Sequence, residues 1–211
     1  APMLFNGEHL GTGEPPLLDI AVDPIDGTRP LAHGIGNSIA TVALAPRGTM
    51  FNPGPFVYMN KIAVGPVARD VIDIEKPVED NLRAIARAKG EQVEDLTVVI
   101  LDRPRHENLI REVRRVGARI RLIPDGDVAG ALMASLPETG IDVLLGVGGT
   151  PEGVLAAAAL RCTGGNIQGK LYIRNENERR RALDLGMDFE KVLTLDDLIS
   201  SEDTFFAATG I

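Results

Sequence analysis

Tryptophan is absent from this chain of 211 residues, and with only two Tyr and six Phe the interior must be filled by Ala, Val, Leu and Ile. A single cysteine, Cys162, excludes an intrachain disulfide and points to a reducing compartment, so the cytoplasm is the expected location. Cys162 closes a run of small residues with helical character and is expected to be a buried, inert thiol. No run of about eighteen apolar residues is present, nor any signal-peptide or lipidation pattern, so no membrane partner is expected. Positive charge is also in deficit. With 22 Lys and Arg against 30 Asp and Glu, the net charge of −8 argues against non-specific binding to nucleic acid and leaves carboxylates to spare as metal ligands. The histidines (His9, His33 and His106) show no metal-ligand spacing, and no Ser or Cys sits in a nucleophile elbow. Hydrolysis through a side-chain nucleophile is therefore unsupported, and metal-assisted attack by water fits better. The chain opens at Ala1 without an initiating Met and enters the apolar Met3-Leu4-Phe5 almost at once, while Thr204 to Ile211 reads as a strand stopping at its edge; both ends read as cut.

The most informative stretch is Asp23-Pro24-Ile25-Asp26-Gly27-Thr28, which follows the apolar run Leu17 to Val22 and is expected to form a tight turn after a strand. Pro24 restricts Asp23 to extended backbone, and Gly27 lets the chain turn sharply. Two carboxylates about 4 Å apart repel by roughly 4 kcal/mol at an effective dielectric of 20. A hard divalent cation such as Mg²⁺ or Mn²⁺ between them suits an all-oxygen set. The competing reading is an Asx-type turn in which Asp26 caps the next segment.

The first 75 residues read as a strand-rich lobe, with strands at Asn37 to Ala45 and Tyr58 to Val64 separated by the rigid Asn52-Pro53-Gly54-Pro55. From residue 76 to 211 helices and strands alternate. Helices are expected at Val78 to Lys89, Arg105 to Val116, Val128 to Leu136 and Pro151 to Cys162, and strands at Leu96 to Leu101, Ile120 to Ile123 and Ile141 to Leu145. Arg174 to Arg181 reads as a solvated loop entering a helix, without chemistry of its own. The alternation implies an α/β fold with mixed, partly parallel sheets, whose ligands gather at the carboxyl ends of strands.

Three loops follow those strands. Gly146 to Glu152 lacks the third Gly of a dinucleotide fingerprint and the Lys of a Walker loop, and reads as a Gly-rich turn setting Glu152 in the first turn of a helix. Glu152 is either a complement to the helix dipole or a third carboxylate of the site, with Gly148 and Gly149 offering N–H groups to an oxyanion. Arg103-Pro104-Arg105-His106 sets two guanidinium groups beside one Pro, suited to phosphate, or else forms a surface turn paired with Glu107 or Glu112. Asp125-Gly126-Asp127 is a candidate for metal, for sugar hydroxyls, or for capping the following helix.

Taken together, the D-P-I-D-G-T element, Gly148-Gly149-Thr150-Pro151-Glu152-Gly153, Arg103 to His106 and Pro124 to Val128 resemble the class II fructose-1,6-bisphosphatases. The first element alone is shared with the wider inositol monophosphatase and lithium-sensitive phosphatase superfamily. The W-D-x-A element of inositol monophosphatases is missing, and G-G-x-P-E-G stands in its place. Ala1 to Leu4, Val57 to Met59 and Ala207 to Ile211 match as well, so the resemblance runs end to end.

The resemblance implies a layered α-β-α-β-α sugar-phosphatase fold and hydrolysis of the C1 phosphate of fructose 1,6-bisphosphate, or of sedoheptulose 1,7-bisphosphate, in gluconeogenesis or Calvin-type metabolism. It implies Asp23, Asp26 and Glu152 as ligands of Mn²⁺ or Mg²⁺, and Thr28 as the residue that contacts substrate and orients water. Asp26, Gly27, Tyr58, Arg103, Pro104, Arg105, Asp125, Gly126, Asp127 and Gly149 would line the bisphosphate site, and the enzyme would be a homodimer or homotetramer. Many members carry Glu where Asp26 stands. Members also begin upstream, with a further Asp and Glu completing the metal site, and continue beyond the position of Ile211. The rivals are an inositol- or nucleotide-phosphate phosphatase of the same superfamily and an inactive sugar-phosphate-binding protein.

Overall fold

The computed structural model describes Phe5 and residues 7–211; the matching segment Ala1 to Leu4 lies outside the described residues. Two sheets organise the chain. Strands β1 (Leu18–Asp26), β2 (Ile39–Pro46) and β8 (Phe205–Gly210) form an antiparallel three-stranded sheet in the order β1-β2-β8. The second sheet has five strands in the order β5-β4-β6-β3-β7: β3 is Tyr58–Val64, β4 Thr97–Leu101, β5 Arg119–Ile123, β6 Val143–Gly149 and β7 Asn166–Leu171. Within it β5, β4 and β6 run parallel, while β3 pairs antiparallel with both β6 and β7. This is the mixed α/β architecture expected from the alternation. The strands do not partition by chain position, since β3 belongs to the five-stranded sheet and the C-terminal β8 to the three-stranded one.

Helices α2 (Val78–Lys89) and α3 (Glu107–Val116) cover one face of the five-stranded sheet, and α4 (Asp127–Ser135) and α5 (Thr150–Thr163) lie between the two sheets. The β4 run V-V-I-L shows how the sequence builds this. Val98 and Ile100 pack toward α2 and α3, Val99 and Leu101 toward α4 and α5, so an unbroken apolar run is buried on both faces. Helix α5 is apolar all round because it packs against both sheets, and Ala156 to Ala159, all buried, keep it thin enough to fit. Beyond this layer the three-stranded sheet carries Leu18, Ile20, Val22 and Phe205 exposed on its outer strands.

Several expectations need correction. The strand does not end at Val22: β1 continues to Asp26 through a register irregularity between Asp23 and Asp26, and the turn comes at Gly27 (φ 91°) before the short α1 (Thr28–Ala32). The segment Gly146 to Gly149 is strand rather than turn, because it stays paired with β3 up to Tyr58↔Gly149. Arg105 and His106 belong to a 3₁₀ turn, Pro104–His106, that precedes α3. Cys162 is exposed rather than buried: it sits in the last turn of α5, where its Sγ donates to the Thr204 carbonyl at 3.4 Å. The Arg-rich stretch enters a helix as expected, α6 (Glu176–Asp184), capped by the Asn175 side chain. A last short helix, α7 (Leu195–Leu198), starts from a capping box between Thr194 and Asp197.

Candidate active site

The carboxyl ends of β4 and β6, the start of the antiparallel β3, the end of β1 and the N-termini of α4 and α5 meet at one edge of the molecule. The antiparallel course of β3 places Tyr58 directly opposite Gly149 at the exit of β6. Between these elements lies a cleft of about 320 Å³, bordered by Tyr58, Arg103, Arg105, Asp125, Asp127, Gly149 and Glu152 among others.

Asp26 is buried, and its Oδ2 accepts the backbone N–H of Ala129 at 2.8 Å. It thus caps α4, a helix a hundred residues away, rather than the segment that follows it. Asp23 makes the Asx contact foreseen for the turn, with its Oδ1 accepting from Ile25 N–H at 3.1 Å. Thr28 Oγ1 donates to Asp125 Oδ2 at 3.1 Å, and Arg103 donates to Asp125 Oδ1 at 3.2 Å. The D-P-I-D-G-T element, the D-G-D loop and the arginine loop therefore form one hydrogen-bonded chain. Gly126 lies against Asp26 and Gly27, as the last link.

Arg103 also donates to Pro124 O at 2.5 Å, and Arg105 donates twice to Val147 O, at 3.1 and 2.7 Å. Both arginines thus turn inward to strand ends instead of pairing with Glu107 or Glu112. Arg105 stands 5.4 Å from the centre of the Tyr58 ring, and Arg174 stands 5.0 Å from it. The contact of Arg174 with Tyr58 gives a site role to a residue of the solvated, charge-rich tail, whose sequence carries no signal of it.

His106 holds the arginine loop in place. Its imidazole is buried, Nε2 accepts from Val147 N–H at 2.8 Å, and Nδ1 lies 2.7 Å from Leu101 O, which assigns the proton to Nδ1. Burial lowers its pKa, so the ring stays neutral at physiological pH. Its role is structural. His106→Ala, which strands two buried backbone groups and opens a cavity, is expected to lower stability by about 3 kcal/mol. A fall in melting temperature of roughly 6 to 12 °C would register this in calorimetry, and an unchanged melt would refute the anchoring role.

The carboxylates repel one another. Burial raises the pKa of Asp26 to about 7, helped by Asp127, Asp23 and Glu152 and opposed by the Ala129 N–H. Burial likewise raises Glu152, with Asp127 adding to the effect and Lys61 opposing it, and it raises Asp23. Chemically, this crowded all-oxygen donor set fits a hard divalent cation. Thr150 Oγ1, fully buried at the first residue of α5, has no hydrogen-bond partner among the described residues. Among the described residues no three His, Cys, Asp or Glu side chains are drawn together closely enough to form a finished metal site.

The sequence profile of the family described as "Bacterial fructose-1,6-bisphosphatase, glpX-encoded" matches residues 1–211. The chain belongs to this family. Class 2 fructose-1,6-bisphosphatase of Haemophilus influenzae is 44% identical over 224 residues, covering all of this chain and 67% of that protein. Fructose-1,6-bisphosphatase 1 class 2 of Escherichia coli K12 is also 44% identical over 224 residues, covering 66% of its length. The chain thus spans about two thirds of the length of these curated relatives. The family consists of phosphomonoester hydrolases that act on a sugar bisphosphate in gluconeogenesis and implies a divalent metal requirement. No helix among the described residues is long and apolar enough to cross a membrane.

One charged residue behind the rim of this cleft has no counterpart among the residues expected from the sequence. Lys61 lies in β3, buried, paired with Asp127 and donating to the Gly149 carbonyl at 2.8 Å. The signal was present: a lysine at the centre of an otherwise apolar strand, Tyr58–Val64, has to find a partner.

Proposed function

We propose that the protein carrying this chain hydrolyses the C1 phosphate of fructose 1,6-bisphosphate, with sedoheptulose 1,7-bisphosphate as a second substrate. The supporting observation is the hydrogen-bonded chain Thr28–Asp125–Arg103, which joins the carboxylate cluster to the arginine loop across one cleft. Asp23, Asp26 and Glu152 would hold a divalent cation, Mn²⁺ or Mg²⁺, which when bound supplies charge neutralisation at the phosphoryl group and acidifies a bound water.

The chain's own residues do the rest. Thr28 contacts the ester and orients the attacking water, with its hydroxyl proton directed to Asp125. The Gly149 N–H, which points away from β3, and the positive N-terminal poles of α4 and α5 face the developing negative charge. Tyr58, Gly27, Asp125, Gly126 and Asp127 border the sugar. Arg103 and Arg105, with Pro104 fixing their spacing, grip the distal phosphate and so select a bisphosphate over a monophosphate. Assembly as a homodimer or homotetramer and a cytoplasmic location complete the reading, the latter supported by the lone cysteine.

The experiment is phosphate release with Mn²⁺ or Mg²⁺ from fructose 1,6-bisphosphate against inositol monophosphate. Preference for inositol monophosphate would overturn the assignment. Arg103→Ala and Arg105→Ala are each expected to raise KM for the bisphosphate about 10- to 100-fold with a smaller change in kcat, since both act on the non-reacting phosphate. Equal losses in kcat with KM unchanged would move these arginines to the reacting group.

A further inference from the structure

Lys61 is among the largest fully buried side chains among the described residues, and its side chain is only 1% exposed. It leaves β3 on the face that also carries Met59 and Ala63, toward α4 and α5. There its Nζ pairs with Asp127 at the first residue of α4 and donates at 2.8 Å to the carbonyl of Gly149, the last residue of β6. A side chain at Gly148 would place its Cβ 3.0 Å from Lys61 Nζ, and one at Gly153 would sit 3.3 Å from its Cδ. The glycines on either side of the β6–α5 junction thus leave the channel through which the lysine reaches the cleft. A buried cation is tolerated only when paired and hydrogen-bonded, and here both partners come from the cleft's own rim.

We propose that Lys61 is a positioning residue for the bisphosphatase reaction: it fixes the Asp127 carboxylate and the Gly149 carbonyl against each other, so that α4 and the β6–α5 junction present a single rigid rim to the substrate. Lys61 does not border the cleft itself. It acts through Asp127 and Gly149, which do. The pairing also commits one oxygen of Asp127 inward, leaving its other oxygen for the substrate. This inference rests on the reading of the site given above.

The test is a double-mutant cycle of Lys61→Met and Asp127→Asn in the whole gene product, followed by KM, kcat and thermal melting. Lys61→Met alone is expected to raise KM for fructose 1,6-bisphosphate on the order of 10- to 100-fold, with kcat per active site changed much less. The double variant is expected to be no worse in KM than Asp127→Asn alone, because without the Asp127 carboxylate the lysine no longer ties α4 to the Gly149 carbonyl. A purely structural lysine would lower the folded fraction and leave KM unchanged, and that result overturns the proposal, as do additive losses in KM.

If Lys61→Met does not fold, the double variant decides, since it removes the charge together with its partner. Its KM matching that of Asp127→Asn supports the proposal, and a KM well above it overturns the proposal. A wild-type protein that prefers a different phosphate ester would refute the assigned substrate. The cycle would then be scored on that ester, which keeps the two failures distinguishable.

Discussion

Gly149→Ala is expected to abolish most phosphatase activity while leaving the fold intact. A Cβ at this position would stand 1.7 Å from Glu152 Oε2, 2.3 Å from its Cδ and 2.7 Å from its Oε1. Those are the atoms of a flexible side-chain end, so the protein escapes the clash by swinging Glu152 out of the cleft rather than by unfolding. The backbone itself raises no objection, since Gly149 has an ordinary extended conformation (φ −68°, ψ 141°) that alanine adopts freely. What is lost is the Glu152 carboxylate, the third member of the proposed Asp23–Asp26–Glu152 ligand set.

Displacing one such group by more than an ångström is expected to lower kcat/KM by about 10² or more. Stability is expected to hold or to rise slightly, because the departing carboxylate is one that burial and Asp127 hold in an unfavourable charged state. Assay and calorimetry on the same preparation check both halves. Near-wild-type turnover would show that Glu152 is dispensable, and a collapsed melt would show that Gly149 matters for packing instead.

The legibility of this site in the sequence follows from how local each signal is. Helix α2 and strand β3 lie where the apolar periodicity and the stop at Gly90 put them, since each is decided by near neighbours in the chain. Asp23, Asp26 and Glu152 stand out in the sequence as candidates because each lies in a short motif beside a strand end or a helix start. Their partners do not. That Asp26 caps α4, that Thr28 reaches Asp125, and that His106 ties the arginine loop to Val147 are contacts across 41 to 103 residues, which no local pattern encodes.

Two errors have similar causes. Gly146 to Gly149 was read as a turn because glycine disfavours strands, yet pairing with β3 overrides that propensity. Cys162 was read as buried from its apolar neighbours, but it falls in the exposed last turn of α5.

At Asp26 function and stability are expected to pull in opposite directions. In the metal-free protein its carboxyl titrates near 7, against 3.8 for an unperturbed aspartate. Between those values the folded state keeps the proton that the unfolded state has already lost, so the unfolded state binds fewer protons and stability falls as pH rises. The contribution is complete below about pH 4 and gone above about pH 7. A shift of this size corresponds to roughly 4 kcal/mol. Chelator-treated protein is therefore expected to melt higher at pH 5 than at pH 8. Asp23 and Glu152, also raised, add to the same slope.

Asp26→Asn keeps an oxygen that accepts the Ala129 N–H, so the cap on α4 survives while the ionisation is removed. At pH 8 the metal-free variant is expected to melt above the wild type, by up to about 8 to 16 °C, and to lose most of the pH slope. Its phosphatase activity is expected to fall by 10²-fold or more, since a neutral amide no longer offsets a cation's charge. A variant less stable than wild type at pH 8 would show that the Asp26 carboxylate is at ease in its site. The raised pKa, and with it the case for a cation beside Asp26, would then fail.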